Sequence, residues 1–136
     1  MSIYSSEEQF YQLMQNLFER IRMQNPNPVD QLAAKRLIVR LRFSDPQAEI
    51  MVNGRRKPVS ITFGGEYSPI LPDLEAEMAA ETLHMVLMHS LSLKSAIAYG
   101  KITVSGMLWR TKSLAAILEH GRAFYPIILR EHGLIL

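Results

Sequence analysis

The chain has four histidines and no cysteine. Metal or proton-transfer chemistry would therefore fall to imidazole, carboxylate and hydroxyl groups, and thiolate ligands, thiol nucleophiles and disulfides are excluded. Glu81 and His84 have the Glu-x-x-His spacing that puts a carboxylate and an imidazole on one helix face. Carboxylate-bridged di-iron bundles use that unit twice, and here it occurs once. His84 and His89 stand at i and i+5 rather than the i, i+4 of a helical zinc pair. No metal is expected, and the histidines read as solvated or capping groups. Asp73, Glu75 and Glu77 look like a carboxylate cluster, but alternate residues of a strand stand roughly 7 Å apart. That is wide for one calcium ion and unsuited to a shared proton, so they read as the wet face of a strand. Ser90 beside His89 lies at a helix end, with no G-x-S-x-G elbow. Walker and G-x-G-x-x-G loops are absent as well. No catalytic residue and no cofactor are assigned.

The basic run Arg55-Arg56-Lys57 follows Asn53-Gly54 at what reads as a hairpin tip. A nucleic-acid reader would interleave aromatic stacking platforms with such bases, and none flanks this tip. Nucleic acid is therefore not expected. An anionic membrane surface, touched transiently, suits the tip better, with a solvated turn as the plain alternative.

These residues sit on elements that the pattern places in order. Ser6 and Gln9 form a capping box, and Phe10, Leu13, Met14, Leu17, Phe18 and Ile21 make one apolar stripe behind it. Asn25-Pro26-Asn27-Pro28 stops that helix, and a short helical turn spans residues 29–34. Leu37, Val39, Leu41 and Phe43 alternate with Ile38, Arg40 and Arg42, the period of a strand with one wet face. Ser44-Asp45-Pro46 turns the chain. Strands over 48–52 and 58–63 then flank Asn53-Gly54, which predicts a two-residue type I′ turn. Gly64-Gly65 ends this run, Glu66 to Pro72 reads as a crossing loop, and Leu74, Ala76 and Met78 mark a fourth strand. Helices over 80–90 and 92–98, a fifth strand over 101–105 and a last helix over 113–129 complete the chain.

With 136 residues, 48% of them hydrophobic, the chain reads as a single domain, 1–136, with a real core. No apolar run, including the one through Tyr125 to Leu129, approaches the ~18 residues of a membrane span. With no basic n-region leading into an apolar stretch, a soluble, cytoplasmic protein is expected. Nine bases and three acids lie between Arg20 and Lys57, and five acids with no Lys or Arg between Glu66 and Glu81. A net charge of +2 thus conceals a dipolar surface. Eight methionines and a helix that is apolar all round at Tyr125-Pro126-Ile127-Ile128-Leu129, followed by Leu134-Ile135-Leu136, are more apolar surface than a small core needs. Such surplus implies a ligand cavity, a partner surface or both.

At Tyr99-Gly100-Lys101-Ile102-Thr103-Val104-Ser105-Gly106 the chain resembles the signature of the sterol carrier protein-2 family. The preceding strand Leu74–Met78, helix Thr82–Ser90 and Leu93-Lys94-Ser95-Ala96-Ile97 match its order, and the resemblance covers roughly residues 6–130. It implies an α+β fold: a five-stranded, mostly antiparallel sheet covered on one face by helices, enclosing an apolar tunnel. It also implies non-enzymatic binding of fatty acids, fatty acyl-CoA, phospholipids or sterols. The family's eukaryotic carriers end in a peroxisomal tripeptide, whereas this chain ends Leu134-Ile135-Leu136.

Face and period, rather than the family, select the candidate lining residues. They are Leu17, Phe18, Ile61, Phe63, Met85, Met88, Met107, Trp109, Ile117, Phe124 and Ile128. Core packing is the alternative for each. Gly121 and Pro126 are two weak points in the last helix, so that helix is expected either to gate the pocket as a lid or to be a kinked core helix. A lipid is the expected partner. A homodimerisation or docking module using the C-terminal apolar surface, or an accessory subunit presenting a lipid intermediate to an enzyme, remains open.

Overall fold

The computed structural model describes residues 3–24, 27–64 and 70–134. Asn25-Pro26, the segment Gly65 to Pro69 and the tail Ile135-Leu136 lie outside the described residues, with the expectations placed on them. The elements run α1 (Glu7–Gln24), α2 (Asn27–Ala34), β1 (Ile38–Ser44), β2 (Ala48–Asn53), β3 (Ser60–Phe63), β4 (Leu74–Ala79), α3 (Ala80–Leu87), α4 (Leu93–Ala98), β5 (Ile102–Gly106) and α5 (Thr111–Glu131). A one-turn 3-10 helix, Leu108–Arg110, leads into α5.

The capping box forms. The Gln9 N–H donates to Ser6 Oγ at 3.0 Å, while Gln9 Oε1 accepts from the Ser5 N–H at 2.7 Å, one residue earlier than the usual reciprocal bond. All six residues of the expected stripe on α1 are buried.

The sheet order is β3-β2-β1-β4-β5, antiparallel everywhere except the central β1–β4 pair, which is parallel. Strand alternation sorts the two faces. Val39, Leu41, Phe43, Ala48, Ile50, Val52, Leu74, Ala76 and Met78 are buried beneath the helices. The other face carries Arg40 and Arg42 paired in register with Glu75 and Glu77. Arg40 reaches Glu49 at 3.1 Å and Glu75 at 3.5 Å, and Arg42 reaches Glu75 at 3.5 Å. Glu75 and Glu77 are thus wet-face residues, as their spacing implied. Asp73 is not one of them. Its carboxylate accepts from the Ile38 N–H at 2.9 Å and from Arg55 at 3.0 Å, while its backbone N–H donates to the Ile38 carbonyl at 2.8 Å. It locks the start of β4 to the start of β1.

The two-residue turn at Asn53-Gly54 is corrected. Asn53 pairs with Ser60, so residues 54–59 form the connection, and neither Asn53 nor Gly54 has a positive φ. Gly54 serves another purpose. A Cβ there would stand 2.4 Å from the carbonyl oxygens of both Leu32 and Leu37, and the Gly54 N–H donates to the Leu37 carbonyl at 2.7 Å. The glycine lets the loop lie against the end of α2. The tip is also less free than its charge suggests, because Arg55 bonds both Asp73 and the Arg36 carbonyl.

No helix of the described residues is long and apolar enough to cross a membrane. The last helix runs unbroken through Gly121 and Pro126, with Tyr125, Ile128 and Leu129 fully buried. At rest it is a core helix.

Candidate functional site

The space between sheet and helices is lined from both sides by residues whose periodicity turned them inward. One cavity of about 20 Å³ lies among Met14, Leu17, Phe18 and Ile21 of α1, Leu41 of β1, Ile50 of β2, Leu83 and Leu87 of α3, and Ile117, Leu118 and Gly121 of α5. A second, also about 20 Å³, is lined by Phe18, Leu32, Val39, Leu41, Val52, Leu114, Ile117 and Leu118. Phe18, Leu41, Ile117 and Leu118 border both, so four side chains separate the two. Each has room for about one water molecule, against the ~300 Å³ at which ligand pockets begin. In this conformation the expected tunnel is closed.

Every lining side chain is apolar, and Gly121 contributes backbone. The lining therefore offers no acid, base or nucleophile, and what it can do is exclude water from hydrocarbon. Gly121 sits where α5 passes α1 and α3. A Cβ there would be 3.3 Å from Leu87 and 3.6 Å from Ile21 and Leu17.

The candidate residues separate into groups. Leu17, Phe18 and Ile117 line the cavities. Ile128 is fully buried but lines neither. Ile61, Phe63, Met88 and Phe124 are partly buried and pack against the core, and Met85 is half-buried on α3. Met107 and Trp109 are corrected, for they are 37% and 70% exposed. Gly106, at φ 96°, turns the chain out of β5, and the Met107 N–H bonds the Asp73 carbonyl at 2.7 Å. This leads Met107 and the following 3-10 turn along the surface rather than into the core. The strand residues Leu41, Ile50, Val39 and Val52 were missed, although their alternation marks the same inward face.

His84 is neither solvated nor a cap. Its Nδ1 lies 2.6 Å from the Tyr125 hydroxyl, which lies 2.5 Å from the Tyr4 hydroxyl. The chain of hydrogen bonds joins the N-terminal segment, α3 and α5. Burial lowers the His84 pKa against the opposing pull of Glu81. Burial likewise pushes both tyrosine pKa values well above their usual range, which keeps the group neutral. Glu81 is exposed, and no metal-holding cluster of three ligands occurs among the described residues.

A wide, open depression of about 660 Å³ at the end of β1 and β4 is larger than the cavities. Tyr11, Arg42, Asp45, Glu49 and Glu77 help line it. It is a polar dip in the surface and encloses nothing.

No protein-family model matches the sequence, and no curated protein matches it. Solved structures do. Sterol carrier protein 2 from Yarrowia lipolytica, in its apo form, superposes with a TM-score of 0.58 at 14% identity, over 77% of this chain and 88% of that one. Sterol carrier protein domain 2 of Helicoverpa armigera gives 0.62 at 18% identity, over 81% and 85%. A structure described as UbiJ-SCP2, a ubiquinone synthesis protein, gives 0.56 at 15% identity, over 81% and 88%. With its parallel central pair, its antiparallel flanks and its helices on one face, this chain has the fold of the sterol carrier protein-2 domain.

Proposed function

We propose that the chain binds the hydrocarbon part of a lipid between the sheet and the helices, and that it does so without catalysis of its own. The observation that carries this reading is the pair of adjoining cavities with wholly apolar walls, at the junction of α1, α5 and the sheet. Merging and widening them requires Phe18, Leu41, Ile117 and Leu118 to move apart, and these side chains join nothing polar to anything. Fourteen methylenes withdrawn from water supply about 11 kcal/mol at ~0.8 kcal/mol each. Micromolar affinity corresponds to about 8 kcal/mol, so an opening and ordering cost near 3 kcal/mol still leaves micromolar binding.

Displacement of a fluorescent fatty acid by unlabelled fatty acids, acyl-CoA, phospholipid and sterol tests the reading. Saturable binding with displacement by more than one class is the expected outcome. No saturable binding at micromolar protein would overturn it. An accessory role, holding a lipid intermediate for an enzyme, is supported by the fold likeness to the structure described as a ubiquinone synthesis protein. Co-purification of an isoprenoid or other biosynthetic intermediate, rather than bulk fatty acid, would favour that form of the same function.

A further inference from the structure

At the α2 end of the fold, a surface depression of about 410 Å³ is lined by Lys35, Arg36, Arg55 and Arg110 together with Leu37, Asp73 and Met107. Four cations face one carboxylate there, and that carboxylate is already held by Arg55. Arg110 Nε is buried with no hydrogen-bond partner among the described residues. Directly beside this basic surface the chain displays Leu108 at 56% and Trp109 at 70% exposure, following Met107 at 37%. Three consecutive large apolar residues facing water are costly to leave uncovered.

They are not displayed by a loose loop. The Arg110 N–H bonds the Met107 carbonyl at 2.9 Å, Thr111 Oγ1 donates to the Leu108 carbonyl at 2.6 Å, and the Met107 N–H is tied to Asp73. The 3-10 turn is therefore held in place with its apolar side chains outward, so little order has to be gained on docking.

We propose that this end of the molecule docks on an anionic bilayer, with Leu108 and Trp109 entering the head-group region and the surrounding cations meeting lipid phosphates. Charge complementarity selects this occupant. A second copy of the chain would bring the same four cations face to face, whereas an anionic leaflet attracts them, and an indole with an adjoining leucine suits the interface between head groups and acyl chains. The second apolar cavity lies just behind this face: Leu114 is one helical turn beyond Arg110, and Leu32 is one turn before Lys35 and Arg36. Docking stands independently of lipid binding in that cavity, and the two are measured by separate assays.

Trp109 is the only tryptophan in the chain, so its fluorescence reports the proposed contact directly. The full chain is titrated with mixed phosphatidylglycerol–phosphatidylcholine vesicles and with pure phosphatidylcholine vesicles. A blue shift on the mixed vesicles alone, reversed by high salt, is expected. Removing two charges beside the turn, as Arg110→Gln with Lys112→Gln, the latter exposed at the start of α5, should weaken vesicle partition roughly fivefold per charge. Leu108→Ser should weaken it with the charges intact. Lys94→Gln, an exposed cation on α4 near the other end of β5, should leave partition unchanged. Three results would overturn the proposal. The first is no spectral shift, and the second is co-sedimentation with vesicles while Trp109 emission stays constant. The third is a vesicle-free shift that grows with protein concentration, which assigns the patch to a second copy. Loss of docking with fatty-acid displacement retained counts against this proposal alone.

Discussion

The hydrogen-bonded contact among His84, Tyr125 and Tyr4, part-buried at His84, gives the stability of the fold a pH signature. The folded state holds the His84 pKa below its free value of 6.5. As pH falls through that value the unfolded chain therefore takes up a proton more readily, and stability declines. The tyrosine pKa values are raised above 10.0, so above pH 10 the unfolded chain loses protons first and stability declines again. Urea denaturation between pH 5 and pH 8 should show wild type losing stability on the acid side, with a shallower loss in His84→Gln; equal slopes would show that His84 is not responsible. Gly121→Ala bears on the cavity. It gains about 1 kcal/mol of helix propensity, while the Leu87 methyl, 3.3 Å from the new Cβ, must give by a few tenths of an ångström. We expect stability unchanged or raised by up to ~1 kcal/mol, with fatty-acid affinity reduced severalfold because the cavity wall has moved inward. Denaturation and displacement assays on the same preparation check both.

Elements differed in how far the sequence disclosed them. The stripe on α1 and the alternation of β1 were legible because each repeats one physical period several times, and burial followed that period. Ser92, read as the first residue of a helix over 92–98, is instead the cap of α4, and the left-handed Gly100 follows its end. Asn53-Gly54 misled because glycine has two uses, and here it serves close approach to carbonyls from Leu32 and Leu37, partners that appear only once α2 is folded against the loop. Gly54→Ala should accordingly cost more than a hairpin-turn substitution, about 3 kcal/mol or loss of folding, measured as a drop in the urea midpoint; a cost under ~1 kcal/mol would mean the loop can move aside. Met107 and Trp109 misled for a related reason, since residue type gives hydrophobicity but not the outward turn imposed by Gly106. The partner of His84 was illegible because Tyr125 lies 41 positions away, and Tyr4, which completes the chain of hydrogen bonds, lies 121 positions from Tyr125. Of the cavity walls, Leu17, Phe18 and Ile117 were legible, while the strand walls and such helix residues as Met14, Ile21, Leu83 and Leu118 were overlooked.

Across the whole molecule, α5 binds the rest together. It packs along α1, α2 and α3, and Arg122 donates to the Val86 carbonyl at 2.8 Å near the end of α3. Truncation after Gly121 would remove Tyr125, Ile128 and Leu129, all fully buried. Each large apolar side chain lost from a core costs about 2–5 kcal/mol, and three together cost about 6–15 kcal/mol, as much as the whole stability of an ordinary domain. Circular dichroism should show the truncated chain unfolded; a folded product exchanging lipid faster would instead make α5 a lid. The charged sheet face bears on the chain before it is folded. β1–β3 can form from local contacts, but the central pairing of Val39 with Leu74 must wait for a distant segment. Until then β1 offers an open edge to any passing strand. A misplaced in-register β1 from another chain would set Arg40 against Arg40, and a misplaced β4 would set Glu75 against Glu75, both repulsive. The native neighbours of β1, by contrast, bring arginine beside glutamate on both sides, Glu49 from β2 and Glu75 and Glu77 from β4, so the half-made sheet disfavours pairing like strand with like.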